Sequence, residues 1–223
     1  MKIFIVIPAY NEDQALNQVL ADLKKNYNNI IVVDDGSKDN TYQQALAANV
    51  RVLIHQLNRG QGAALVTGIT YALKNHADII VTFDADGQHN TGDIKNLIEP
   101  IINKEVEVVL GSRFLQKPNN IPRFRKLLLK MGILFTWLTS GVKLTDVHNG
   151  LRAFSKTAAS LIILKQDRMA HSTEIIDEIR RNHLTFKEVP VTINYTKYSL
   201  AKGQKALDSL RIAKEIIIRK IIK

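Results

Sequence analysis

The sequence predicts an α/β protein with a mostly parallel sheet flanked by helices. Short β-branched apolar runs alternate with stretches of helical spacing from residue 2 to residue 113, and four of those runs stop in polar clusters. No stretch approaches the roughly 20 apolar residues of a membrane span; the longest nearly uncharged segment is 131–142. The 223 residues have room for one sizeable domain, and 45% apolar with 23% charged residues is an ordinary globular composition. There is no cysteine, which excludes disulfides, thiolate metal sites and cysteine nucleophiles.

Residues 2–7 read as the first strand, since one Lys and so short an apolar run do not make a signal peptide. Ala15, Leu16, Val19, Leu20 and Leu23 recur at helical spacing, which predicts a helix over 12–25. Residues 30–33 form a second strand, and Asp39, Asn40 and Thr41 can cap a helix reaching about residue 48. A third strand over 50–54, a small-residue helix over 62–74 and a fourth strand over 78–83 follow. A helix over 93–102 and a fifth strand over 106–110 complete the alternation.

Past Arg113, Pro118 and Pro122 mark a loop before a broad apolar helix edged by Arg123, Arg125, Lys126 and Lys130, with Trp137 near its end. Cations beside such a face suit a membrane interface; a core helix with a basic exposed edge is the alternative. A helix over 172–182 and a strand over 186–195 come next, then a terminal helix over 206–222 mixing Ile and Leu with Lys and Arg. The expected division is a catalytic domain over 1–195, including an amphipathic helix over 121–140, and a basic loop with an amphipathic helix over 196–223. Net charge is +10, concentrated in residues 113–143 at +7 and 197–223 at +6. Basic surface so confined implies an anionic partner there.

In parallel sheets, ligands collect outside the carboxyl ends of the strands. One cleft would gather residues 8–12, 34–37, 84–86 and 111–113. Asp84 and Asp86 end an apolar strand with Gly87, Gln88 and His89 behind them. Carboxylate oxygens at that spacing suit Mg²⁺ or Mn²⁺ with positions left for substrate phosphates; taken alone, the pair also fits an Asp-Gly turn.

The segments Pro8-Ala9-Tyr10-Asn11-Glu12, Val32-Val33-Asp34-Asp35-Gly36-Ser37-Lys38-Asp39-Asn40-Thr41, Asn58-Arg59-Gly60-Gln61-Gly62, Asp84-Ala85-Asp86-Gly87-Gln88-His89 and Gly111-Ser112-Arg113 occur in that order. Together they closely resemble the family 2 inverting glycosyltransferases of the GT-A fold, a Rossmann-like architecture. Within that family the chain looks most like the dolichyl-phosphate mannosyltransferase-like, polyprenyl-phosphate branch. The resemblance spans about residues 2–195.

The resemblance implies that Pro8, Tyr10 and Glu12 line a nucleotide pocket and that Asp35, backed by Asp34, bonds the base. A carboxylate can take two donors from guanine or one from uracil. Asn58 and Gly62 would bring backbone to the nucleotide at a helix N-terminus, where amides favour anions. Asp84, Asp86 and Gln88 match the metal site, with Ala85 between the carboxylates on the donor side. Arg113 and Arg125 match positions that grip an acceptor phosphate, a task suited to bidentate arginine. Four positions after the Arg125 match, where some members carry a hydroxyl, this chain has Leu129. Asp146 and Arg152 fall in the second acidic motif, where a carboxylate would act as base for a hydroxyl acceptor or orient the sugar. His148 is singled out by adjacency, with a structural role as the alternative. Lys202 matches a mobile basic loop that would close over the diphosphate; otherwise it sits in a solvated turn.

The expected activity is metal-dependent inverting transfer of a hexose-type sugar from a GDP- or UDP-sugar to a polyprenyl phosphate. The enzyme would lie at the cytoplasmic membrane face, held to anionic lipid, with a separate membrane subunit or a homo-oligomer as further partners and no nucleic acid. A glycan hydroxyl acceptor, with Asp146 as base, keeps the donor chemistry. A non-catalytic basic module for membrane or nucleic acid would leave the acidic pair without a role.

Overall fold

A computed structural model of the protein describes residues 1–116, 121, 123–195 and 198. The first half alternates as β1 (Ile3–Ala9), α1 (Leu16–Lys24), β2 (Asn29–Asp34), α2 (Thr41–Ala47), β3 (Arg51–Ile54), α3 (Gln61–Lys74), β4 (Ile79–Thr82), α4 (Asp93–Ile102) and β5 (Val108–Ser112). Then come α5 (Arg123–Ser140), β6 (Arg152–Ser155), α6 (Lys156–Leu161), α7 (His171–Arg181) and β7 (Phe186–Pro190). The strands form one sheet in the order β3-β2-β1-β4-β6-β5-β7. All neighbours are parallel except β6, which runs against both β4 and β5.

Because helices cover both faces, the central strands are buried on both sides and read as continuous apolar runs. Along β1, Ile5, Ile7 and Ala9 join Leu16, Leu20 and Leu23 of α1 and Ile94 and Leu97 of α4 in one core layer. Phe4 and Val6 point the other way, onto Ala64 and Leu65 of α3 and Ile175, Ile176 and Ile179 of α7. The sheet order reverses at β1, which has β2 on one side and β4 on the other. A crevice opens at such a switch point, outside the carboxyl ends.

The structure departs from the sequence expectation at several boundaries. Residues 12–15 form a turn in which the amides of Ala15 and Leu16 both donate to the Glu12 carbonyl, so α1 starts at Leu16. The fifth strand lies two residues later than expected and includes Gly111 and Ser112. Residues 152–155, with an Arg and no alternation, carry no strand signature, yet they form β6 inside the sheet, between β4 and β5. The last strand stops at Pro190; only an isolated bridge between Ile193 and His89 continues it. The expected terminal helix over 206–222 lies outside the described residues.

Gly68 of α3 faces β1, where a Cβ would overlap Val6 Cγ1 and press on Val33 Cγ2. Helix propensity alone favours Gly68→Ala by about 1 kcal/mol. The stiff, buried Val6 cannot yield, so we expect net destabilisation of about 1–2 kcal/mol from overpacking. Urea unfolding measures it, and adding Val6→Ala to Gly68→Ala should recover part of the loss.

Candidate active site

The first wall is two loops fastened together. The amide of Asn11 donates to Ser37 Oγ (2.9 Å), that of Glu12 to Thr41 Oγ1 (2.7 Å) and that of Lys38 to Asn11 Oδ1 (2.8 Å). Asp39 accepts from the amides of Asp13 and Thr41, and these bonds outweigh its burial to hold its carboxyl below the usual range. Polar side chains after β2 thereby fix the segment after β1, leaving Pro8 buried, Glu12 half-buried and Tyr10 exposed. Tyr198 reaches back here, its hydroxyl donating to Glu12 Oε2 (2.8 Å).

Asp34 and Asp35 are both buried. Asp34 Oδ1 accepts from the Ser37 amide (3.3 Å). Asp35 accepts from His55 Nδ1 and the amides of Arg59 and Gly60, which clamps the loop into α3. Asn58 is exposed and Gly62 buried. Residues 163–170 lie against this loop: Ala63 N donates to the Asp167 carbonyl (3.0 Å), and a Cβ on Gly62 would overlap the Gln166 carbonyl oxygen. Close backbone packing is therefore a sufficient reason for glycine at 62. Gly60, at φ 109°, needs glycine for its left-handed backbone and for the Asp167 carbonyl beside it.

Asp84 and Asp86 follow β4, with Ala85 buried between them. Asp84 Oδ1 accepts from Gln61 Nε2 (3.0 Å) and Oδ2 meets His89 Nε2 (2.9 Å). Burial opposes its charge, but the His89 bond and the nearby Arg152 outweigh it and hold the carboxyl below its usual range. Asp86 shifts the other way, raised by burial and then by the Asp84 carboxylate. Gln88 bonds Asp86 through its backbone amide (3.0 Å) and its side-chain amide. A Cβ on Gly150 would collide with both Asp84 oxygens, so only glycine lets the loop before β6 lie against the acidic pair.

The second wall centres on Arg113. Its Nε donates to Asp146 Oδ2 (2.6 Å), NH1 to the Tyr195 hydroxyl (3.1 Å) and NH2 to the His148 carbonyl (3.1 Å). Burial opposes the charge on Arg113, and Asp146 more than restores it, holding the guanidinium above its ordinary value. Glu188 of β7 positions the loop by accepting from the amides of Thr145 (2.9 Å) and Asp146 (3.1 Å). Arg152 donates to the Val147 carbonyl (3.0 Å); burial lowers it to about 10 against the pull of Asp84 and Asp146, so it stays charged at neutral pH.

Asp84, Asp86, Gln88, Arg113, Asp146 and Arg152 therefore come together at one end of the sheet. The Arg125 side chain, in the first turn of α5, and Lys202 lie outside the described residues. Several participants had no local sequence signal: Tyr195 and Glu188 act through contacts distant in sequence, and Gln61 gains its role only when α3 meets β4. Among the described residues, no group of three or more His, Cys, Asp and Glu could hold a metal ion. The donor set is instead two neighbouring carboxylates, one raised by burial and then by the other, and an amide. That set fits Mg²⁺ or Mn²⁺, hard cations that take much of their shell from phosphate and water.

Residues 4–162 match the model for glycosyl transferase family 2. An uncharacterized protein of Methanocaldococcus jannaschii is 42% identical over 99% of this chain and 93% of its own. The UDP-N-acetylglucosamine–dolichyl-phosphate N-acetylglucosaminyltransferase of Methanococcus voltae is 38% identical over 98% of this chain and 96% of its own. Among solved structures, glucosyl-3-phosphoglycerate synthase from Mycobacterium tuberculosis, in complex with Mn²⁺, UDP and phosphoglyceric acid, superimposes with a TM-score of 0.75 at 18% identity, covering 97% of this chain and 76% of that one.

Two histidines flank this site, His171 buried and His148 half-buried. His171 and His148 are both lowered to about 4, by burial first and then by Arg152, with Arg113 adding to the effect on His148. Unfolded, each titrates near 6.5, so below that pH the unfolded chain takes up protons that the folded chain refuses. Stability is complete above 6.5 and falls as pH drops toward 4, by up to about 3 kcal/mol per histidine. Urea midpoints should fall from pH 7.5 to pH 5. His171→Asn, which keeps a donor for the Arg168 carbonyl, should flatten that dependence.

Proposed function

Since this chain belongs to glycosyl transferase family 2 and is a glycosyltransferase, we propose that it moves a hexose-type sugar from a nucleoside diphosphate to a polyprenyl phosphate. The observation that carries this reading is the contact of Gly150 with Asp84. It joins the acidic pair, suited to a diphosphate with its cation, to a loop whose buried guanidiniums suit a second anion. The dolichyl phosphate in the name of the Methanococcus voltae relative supports the choice of acceptor.

Asp84, Asp86 and Gln88 would hold Mg²⁺ or Mn²⁺, which neutralises the departing diphosphate when bound. Pro8, Tyr10, Glu12, Asp34, Asp35, Asn58, Gly62 and Ala85 form the donor side. An acceptor phosphate oxygen attacks the anomeric carbon opposite the diphosphate, whose bond breaks with its electron pair, and the anomeric configuration inverts. A phosphate is already anionic at neutral pH, so the chain must hold it rather than deprotonate it. Arg113, Arg125 and Lys202 are assigned to that role, and Arg152 stabilises charge between the two sides. Asp146 orients Arg113 through Oδ2. In this reading residues 1–195 would make up the catalytic domain, and the basic segment 196–223, nearly all of it outside the described residues, would add to its anion-binding surface.

The enzyme works at a membrane surface in this reading. Leu127, Met131, Leu134 and Leu138 of α5 are each more than half exposed and recur every three or four residues, with Lys126 and Lys130 exposed beside them. Such a face suits an anionic lipid interface. Among the described residues, no helix is long and apolar enough to cross a membrane.

A second reading sends the sugar to a glycan hydroxyl, and one observation favours it: Asp146 Oδ1 is buried and has no hydrogen-bond partner among the described residues, which leaves an acceptor open for a base role. Transfer of labelled sugar from UDP- and GDP-sugars into an organic-extractable product, with polyprenyl phosphate and Mn²⁺, tests the choice. Metal-dependent glycolipid from wild type and none from Asp86→Ala is expected; hydrolysis without labelled lipid would reject the acceptor. Asp146→Asn should slow transfer by about 10-fold in the first reading and abolish it in the second. Gly150→Ala, by displacing Asp84, should cost at least about 100-fold in rate. Leu134→Glu should weaken sedimentation with anionic vesicles while leaving the fold intact by circular dichroism.

A further inference from the structure

We infer that Asp35 selects the base of the donor, admitting the single imide N–H of a uracil and turning away the two parallel donors of guanine. The inference rests on the reading of this end of the sheet as a nucleotide-sugar site with Asp35 at the base. An ionised carboxylate offers about four acceptor positions, two on each oxygen. In Asp35, Oδ1 already accepts from His55 Nδ1 (2.7 Å) and the Arg59 amide (3.0 Å), and Oδ2 from the Gly60 amide (2.6 Å). Among the described residues this leaves one position, on Oδ2.

The partners that fill the others are themselves fixed. His55 follows β3, and its amide donates to the Asp34 carbonyl (2.9 Å). Its Nε2 lies 2.9 Å from Thr67 Oγ1 on α3, so the ring is pinned from both sides. Facing a carboxylate, Nδ1 must carry the proton, which assigns it as donor to Asp35. The Asp35 side chain is only 4% exposed and that of His55 9%. With so little of the carboxylate exposed, the acceptor position left for a base is the one on Oδ2.

Guanine presents N1–H and an N2–H side by side and needs one vacancy on each oxygen. Oδ1 has none unless His55 or the Arg59 amide gives up its bond, and a donor stranded in that buried place is costly. Uracil presents one donor, N3–H, which the remaining position on Oδ2 satisfies. His55 thus acts as a specificity-determining residue without touching the base, by limiting how many donors Asp35 can take.

The test is calorimetric titration of the full chain, in Mn²⁺, with UDP, GDP and 3-methyluridine diphosphate. UDP should bind at least about 10-fold tighter than GDP, and methylation at N3 should cost about 10- to 100-fold, the loss of one hydrogen bond to a charged acceptor. His55→Phe, which frees a position on Oδ1, should raise GDP affinity relative to UDP several-fold. GDP binding as tightly as UDP, or 3-methyluridine diphosphate binding as tightly as UDP, would overturn the inference while leaving the nucleotide-sugar reading in place. An unchanged GDP-to-UDP ratio in His55→Phe would overturn the role of His55. If neither UDP nor GDP binds, the nucleotide-sugar reading falls, and the base inference with it.

Discussion

Two guanidinium groups, Arg113 and Arg152, are shut inside one end of the sheet, and the site depends on how that charge is compensated. Neither could be buried unpaired without a penalty of several kcal/mol. Asp146 answers Arg113 directly, at 2.6 Å, while Asp84 and Asp146 together support the charge on Arg152. Asp84 sits at the mouth, its side chain 27% exposed, so one carboxylate both balances the interior and faces the cleft. Among the described residues no Lys or Arg offsets Asp86 in the same way, and burial and then Asp84 raise it. An acidic pair in this state is electrostatically incomplete, and a bound cation would complete it.

This arrangement follows from β6, the one antiparallel strand among the described residues. A parallel strand delivers its exit to the carboxyl edge of the sheet, where ligands gather. Running the other way, β6 delivers its entrance: Arg152, its first residue, pairs with Thr82 of β4 and Leu110 of β5. The loop over 146–151 therefore lies beside the exits of β4 and β5, and Gly150 lets it close onto Asp84. Segment 191–195 ties the same groups from beyond β7. Val191 N donates to the Ser112 carbonyl and Asn194 N to the Gln88 carbonyl, while the Tyr195 hydroxyl accepts from Arg113. The chain thus reaches the acidic pair and Arg113 from the strand that precedes each and again from the segment after β7.

Sequence made the parallel part of this legible because strands buried on both faces must be apolar throughout, and because the polar clusters sit where such strands end. It left β6 unread for the converse reason. Four residues beginning with Arg152 look like a loop until Asp84 and Asp146 are seen to balance that charge. Gly62 shows the limit of a local motif: its surroundings are set by the Gln166 carbonyl, a hundred residues away. Glu188 was silent because its partners, the amides of Thr145 and Asp146, are likewise remote. The amphipathic character of α5 could be read from spacing, but not which face turns outward.

That choice of face is made by two contacts at the site side of α5. Gly132 lets the helix come against the His148 ring, where a Cβ would touch Nε2. Near its C-terminus, Arg180 of α7 donates to the Ser140 carbonyl, and glycine at 141 leaves room for the guanidinium. With Thr136 and Ser140 buried, Leu127, Met131, Leu134 and Leu138 are left facing out. The His148 carbonyl in turn accepts from Arg113. The exposed apolar face and the guanidinium assigned to the acceptor phosphate are therefore held in one frame, joined through a single residue. For a substrate whose prenyl chain stays in a membrane while its phosphate must reach the cleft, that frame fixes the distance between lipid surface and reacting group.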